Sequence, residues 1–297
     1  MRVSFICASF NYKDYISEAI ESVISQDCPD WELIVFDDGS KDGSQELIAN
    51  YAKNDKRIKF LTHPNNVNRG LIETLKAASQ AASGDWLAFI ESDDILMPDY
   101  LSSKIKAFND YNDAKLIFSG VDILGNKKIQ ENYIKIFSRR DDFIKNHFNI
   151  AHLLRENIIP TFSCAMIEKK LFNSLDFNSP IAQNIDWWLW AQVLAKHKVI
   201  YVNKNLSVWR RHGDSYISSI NKAKMPDFNR KIFNFIFDNN CIFAKLFAKI
   251  LCNTYIFFNS EKVRKLFGTP SRLMCNLILG ALYKMNKIQA DLVYYNL

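Results

Sequence analysis

Asp93 and Asp94 stand in the run Glu91-Ser92-Asp93-Asp94, directly after the apolar residues 86–90 and before Ile95-Leu96-Met97-Pro98. Carboxylates crowded at a strand end can hold a hard divalent cation, because oxygen donors suit it and its open side can take phosphate oxygens. A cation so placed would neutralise the charge that gathers on a departing diphosphate. A second acidic pair, Asp37-Asp38, leads into Gly39-Ser40 after the apolar residues 31–36. There a carboxylate can accept a base N–H or a ribose hydroxyl. Asp186 stands alone before the Trp-rich residues 187–195. Its type and place suit either a helix cap or a proton acceptor.

These groups need elements that bring them to one place. Residues 3–8, 31–36, 58–61, 86–90 and 116–120 are short apolar runs of strand length. Residues 16–25, 45–52, 71–82 and 99–108 carry helical spacing, the first with Ile16, Ala19, Ile20, Val23 and Ile24 on one face. Ser83-Gly84 is expected to cap the third of these helices. The β-α-β-α alternation predicts a mostly parallel sheet with helices on both faces. In such sheets ligands bind beyond the carboxyl ends of the strands. Ser9–Asn11, Asp37–Ser40 and Glu91–Asp94 all fall there, and three polar clusters on one rim are harder to dismiss as ordinary turns than one. Beyond Gly120 the alternation weakens: 126–149 is irregular, 162–167 and 199–202 read as strands, and 187–195 as a helix.

The segments VSFICASFNYKDYISEAIESVISQ, ELIVFDDGSKDGS and NRGLIETLKAASQAASGDWLAFIESDD resemble glycosyltransferase family 2. The similarity continues through FSCAMIEKKLFNSLDF and IDWWLWAQVLAKHKVIYVNKNLSVWRRHGDS, covering about residues 2–215. The resemblance implies an α/β GT-A fold, Rossmann-like, with an inverting, metal-dependent transfer from a nucleotide sugar. It implies that Phe10 stacks on the base, that Asp38 binds it, as uracil, and that Asp37 supports Asp38. Asp93 matches the last acid of the family's DxD motif, a ligand for Mn²⁺ or Mg²⁺. Ala8, Arg69, Lys76, Glu91 and Ser92 fall in the same donor-binding stretches. Asp186 matches the catalytic base of a Glu-Asp motif, and His212 an Arg-x-His element that helps hold diphosphate or metal. Glu91 departs from the motif's first Asp, Ile185 from the Glu before the base, and Lys76 from a common Asn. The implied partners are a UDP-sugar and a saccharide acceptor, linked to a lipid diphosphate in bacterial surface polysaccharide synthesis.

Of the rival readings, a nucleotidyltransferase should carry a Gly-rich, basic phosphate loop after its first strand. Ser9-Phe10-Asn11-Tyr12 contains no glycine. A catalytically inactive nucleotide-sugar-binding module is disfavoured by the presence of Asp38, Asp93 and Asp186. Trp187, Trp188 and Trp190 suit either sugar stacking or core packing.

The net charge of +6 resides in the last quarter, where 222–297 holds 12 Lys/Arg against 4 Asp/Glu. The boundary is expected near 220, with a catalytic domain over 1–220 (donor half about 1–120, acceptor half about 121–220) and a basic, aromatic-rich helical extension over 221–297. Such an asymmetry suggests an anionic partner, membrane or nucleic acid. Residues 241–258 place Phe243, Leu246, Phe247, Ile250 and Leu251 on one stripe beside Lys245 and Lys249, as an amphipathic helix on an anionic leaflet would. With a lipid-linked acceptor the reading turns to membrane, and no nucleic acid is expected. No apolar run reaches spanning length and none reads as a signal peptide, so a cytoplasmic chain, peripheral on the inner face of the membrane, is expected. The six cysteines form no CxxC pair and are read as reduced packing residues.

Overall fold

The computed structural model describes residues 1–127, 156–212, 224–237 and 291–297, with 130–131, 133, 144–145, 153, 249–250, 253–254, 256–257 and 277–278. Strands β1 (Val3–Ser9), β2 (Trp31–Asp37), β3 (Ile58–Thr62) and β4 (Trp86–Phe89) pair in parallel, in the order β3-β2-β1-β4. Helices α1 (Ile16–Ile24), α2 (Ser44–Asn54) and α3 (Leu71–Ala81) make the connections. β1 shows why both faces are covered: Val3, Phe5 and Cys7 enter one apolar cluster with α1, and Ile6 enters the other with α3. A strand buried on both faces reads as an unbroken apolar run.

The remainder of the sheet continues as β7-β6-β8-β5, with β9 beside β8. These are β5 (Ile95–Leu96), β6 (Leu116–Leu124), β7 (Ala165–Glu168), β8 (Val199–Arg210) and β9 (Leu292–Tyr295). β7 runs antiparallel between β4 and β6, while β6 and β8 are parallel. Helices α4 (Tyr100–Asp110), α5 (Lys169–Phe172), α6 (Ile185–Leu194) and α7 (Met225–Phe237) complete the described elements. Every residue of α6 except Asp186 is buried, as a helix apolar all round its axis must be.

Three expectations change. Gly84 does not cap α3, whose last turn ends at Ala82; a Cβ at Gly84 would lie 2.8 Å from the Arg2 carbonyl, so glycine is needed for close approach to β1. The extension expected to be helical begins so with α7, yet Leu292–Tyr295 returns as a strand parallel to β8. β8 runs eight residues past the expected 199–202, through the exposed Asn203-Lys204-Asn205 and a register shift at Gly120. The stripe expected over 241–258 falls largely outside the described residues. Among the described residues no helix is long and apolar enough to cross a membrane.

Candidate active site

The parallel register sets Ser9 beside Asp37 at the ends of β1 and β2. The two loops that follow are laced together: Asn11 N–H donates to Ser40 Oγ (2.8 Å) and Lys41 N–H to Asn11 Oδ1 (2.8 Å). Asp37 is wholly buried and builds the turn, accepting from Gly39 N–H, Ser40 N–H, the Ser40 hydroxyl and Gln45 Nε2. Asp38 is 4 % exposed. Its two oxygens accept the backbone N–H groups of Arg69 (2.7 Å) and Gly70 (2.8 Å), and His63 Nε2 lies 3.5 Å away. The Asp37-Asp38 pair thus holds the 63–70 loop against the sheet. Gly39, at φ +84°, permits this, since a Cβ there would sit 2.8 Å from the Asn66 carbonyl. Phe10, at the tip of the β1 loop, is 44 % exposed, an uncovered aromatic face beside this turn.

The acidic loop after β4 is built from both halves of the sheet. Ser92, buried, donates its hydroxyl to the Ala8 carbonyl at 2.8 Å and so ties this loop to β1. Asp94 is a buried acceptor for Ser163 Oγ (2.6 Å), Thr161 Oγ1 (3.0 Å) and the Arg210 N–H (3.0 Å). Thr161 Oγ1 also pairs with Glu91 Oε2, and Glu91 N–H donates to Ser163 Oγ (2.9 Å). Asp93 is partly exposed, with His212 Nε2 at 2.9 Å from its Oδ2. That juxtaposition follows from β5 pairing antiparallel with β8, Ile95 opposite Val208, which carries the end of β8 back over the acidic loop. Arg210 fastens it, with Nε donating to the Asp93 carbonyl (2.9 Å), Nη2 to Glu18 (2.6 Å), and its guanidinium over Tyr15. His212 stacks on Tyr15 at 4.9 Å between ring centres, and its buried Nδ1 has no hydrogen-bond partner among the described residues.

Charge is crowded here. Burial, with Asp94 and Asp93 close by, holds the Glu91 carboxyl well above the ordinary range. Burial and Asp93 raise Asp94 to about 7 against the pull of its donors. Acids crowded in this way hold one another towards the protonated form. Among the described residues no three His, Cys, Asp or Glu side chains form a cage. The Asp93–His212 pair still fits a divalent ion, since two ligands at right angles on an ion with bonds of about 2.1 Å stand about 3 Å apart. Two protein donors with the rest from phosphate and water is the usual arrangement for Mg²⁺ in phosphate chemistry.

Asp186 sits in the first turn of α6, after Asn184 at the cap position. Its carboxylate accepts from Asn157 Nδ2 (2.8 Å), yet burial raises it to about 7. Its charge adds to those that hold the Glu91 carboxyl up. The structure places three further groups. Trp187, Trp188 and Trp190 are 9 %, 3 % and 0 % exposed and pack on Phe228, Phe235, and Phe89 with Phe162, so none offers a face to a sugar. Lys76 pairs with Glu73 (2.9 Å) on the exposed side of α3. Arg69 is exposed and contributes its backbone N–H to Asp38. Sequence reading missed Thr161, Ser163 and Asn157, whose signal is faint: polar residues bracketing Ile158-Ile159 and Phe162 in an otherwise apolar stretch.

The fold is that of the GT-A glycosyltransferases, a doubly covered sheet with its acidic loop at the strand ends. The chain belongs to glycosyl transferase family 2, whose model matches residues 4–176. Relatives include the UDP-Glc:alpha-D-GlcNAc-diphosphoundecaprenol beta-1,3-glucosyltransferase WfgD of Escherichia coli, 27 % identical over 201 residues, 68 % of this chain and 73 % of that protein. In three dimensions the chain is similar to S. aureus TarS 1–349 in complex with UDP-GlcNAc, with a TM-score of 0.62 and 17 % identity over 96 % of this chain and 82 % of that one. It is also similar to glucosyl-3-phosphoglycerate synthase of Mycobacterium tuberculosis in complex with Mn²⁺, UDP and phosphoglyceric acid, with a TM-score of 0.52 and 18 % identity over 80 % and 78 %.

Proposed function

We propose that this chain moves a hexose or N-acetylhexosamine from a UDP-sugar to a hydroxyl of a lipid-diphosphate-linked saccharide, with inversion, in building a bacterial surface polysaccharide. The observation that carries the reading is the division of labour among four neighbouring acids. Glu91 and Asp94 are held by Thr161, Ser163 and Arg210, whereas Asp93 pairs with His212 and Asp186 lies in the first turn of a buried helix. One acid is thereby kept for the donor side and one for the acceptor side. The relative WfgD, which by name uses UDP-Glc and a diphosphoundecaprenol acceptor, supports the substrate class, and the UDP-GlcNAc and UDP complexes of the structural neighbours support the donor.

In this reading Phe10 stacks on the uracil, Asp38 receives its N–H, and Ala8 and the 69–70 loop line the nucleoside. Asp93 and His212 would hold Mn²⁺ or Mg²⁺, which when bound neutralises the developing charge on the diphosphate. Asp186 accepts the proton of the acceptor hydroxyl as its oxygen bonds to the anomeric carbon and the bond from that carbon to the diphosphate oxygen breaks. Attack from the side opposite the leaving group inverts the configuration. The basic 222–297 segment, with Ile250 and Phe257 exposed at 55 % and 57 %, supports a peripheral place on an anionic cytoplasmic leaflet where a lipid-linked acceptor resides.

The test is UDP release from UDP-glucose, UDP-galactose and their N-acetyl forms, with and without Mn²⁺, against diphospholipid-linked acceptors, with the product anomer read by NMR. Release of UDP with an inverted product is expected for one donor. Retention of configuration, or no binding of any UDP-sugar, overturns the reading.

A further inference from the structure

Ile185, buried before Asp186, gives that carboxylate no polar contact. The contact comes instead from 29 residues upstream, where Asn157 Nδ2 donates to Asp186 Oδ2 at 2.8 Å. The amide is not free to turn over. Its Oδ1 accepts the Ile159 N–H at 3.2 Å, and a flip would set N–H against N–H and amide oxygen against carboxylate. Asn157 also begins a short strap whose next polar residues, Thr161 and Ser163, hold Glu91 and Asp94. The same strap therefore fixes both ends of the acidic pocket.

We propose that Asn157 is a positioning residue for the reaction, its amide holding the Asp186 carboxylate in one rotamer and favouring its ionised form for the acceptor hydroxyl. The inference rests on the reading of Asp186 as base. Burial alone favours the protonated acid, which cannot take a proton, and a donor to the charged form opposes that. The donor's neutrality matters. Lys or Arg in its place would pull the carboxylate into an ion pair too weakly basic for the task, whereas an amide leaves it near the working pH.

The test follows the Asp186 carboxyl by NMR in protein labelled with ¹³C-aspartate, the signal assigned by its loss in Asp186→Asn. Asn157→Ala should move its titration upward by about one pH unit, the scale of one hydrogen bond to a charged group. Asn157→Asp, equal in shape and folding where the alanine variant does not, should move it further by like-charge repulsion. The acid limb of the pH profile for UDP release should move with it, while UDP affinity stays level. An unmoved titration in a folded Asn157→Asp protein overturns the inference. A purely structural Asn157 would lower Tm and leave both pH readouts in place, which also overturns it. The two ideas separate cleanly: an Asp186→Asn enzyme that retains kcat removes the base reading itself, whereas a dead Asp186→Asn enzyme with an unmoved Asn157→Asp titration removes only the role of Asn157.

Discussion

His212 Nε2 lies 2.9 Å from Asp93 Oδ2 although 119 residues separate them. The gap closes because β5 follows Asp94 directly and pairs with β8, whose end carries Arg210. Asp93→Ala should abolish turnover while leaving the melting temperature near that of the parent, since this carboxylate belongs to the rim. His212→Ala should raise the Mn²⁺ concentration for half-maximal activity by roughly 10–100-fold. A Mn²⁺ titration of EDTA-stripped protein checks both; full activity of Asp93→Ala in EDTA would discard the metal site.

Asp186→Asn should lower kcat by about 10²–10⁴-fold, the usual worth of general-base catalysis, with donor affinity little changed. Steady-state kinetics alongside calorimetric UDP binding separates the two effects. Near-normal kcat would rule Asp186 out.

The raised carboxyl of Asp186 has a signed consequence for stability. At about 7 in the folded chain against about 4 when unfolded, the native state binds the extra proton between those values. Stability from this group is therefore present at low pH and declines as pH rises towards 7. Asp186→Asn removes the burden, so it should melt higher than the parent at pH 8, and the difference should vanish by about pH 4. Thermal unfolding across pH reads this directly, and equal melting at pH 8 would contradict it.

Gly39→Ala forces a side chain into φ +84° and 2.8 Å from the Asn66 carbonyl. A loss of roughly 1–3 kcal/mol is expected, with weaker UDP binding because the Asp38-held loop must shift. Denaturant unfolding with UDP calorimetry is the check.

Flotation with anionic liposomes should carry the chain at low salt and release it at high salt. Because α7 packs on α6 and β9 completes the sheet, deleting the whole extension would damage the fold. Ile250→Ser with Phe257→Ser is the sounder probe and should reduce flotation; no flotation of the parent at low salt would refute a membrane contact.

What the sequence by itself determined was local and periodic. The apolar runs of β1, β2 and β4 and the helical spacing of α1 and α3 announced a parallel sheet, because strands buried on both faces leave no polar alternation to confuse them. Polar clusters placed directly after those runs located Asp37, Asp38 and Asp93 at one rim. What only tertiary structure decided was which distant groups meet there. Asn203-Lys204-Asn205 interrupt the apolar pattern of β8, so nothing in the chain announced that the strand runs on to Arg210 beside Asp93. The three tryptophans of α6 looked equally fit for sugar or core, and only the packing of α7 and Phe162 on them settled it. Asn157 and Thr161 gave no periodic signal, since a strap is defined by its contacts across the fold and not by spacing along the chain. Hydrogen bonds over 29 and 67 residues depend on the sheet order, and that order is fixed by burial of all the strands together.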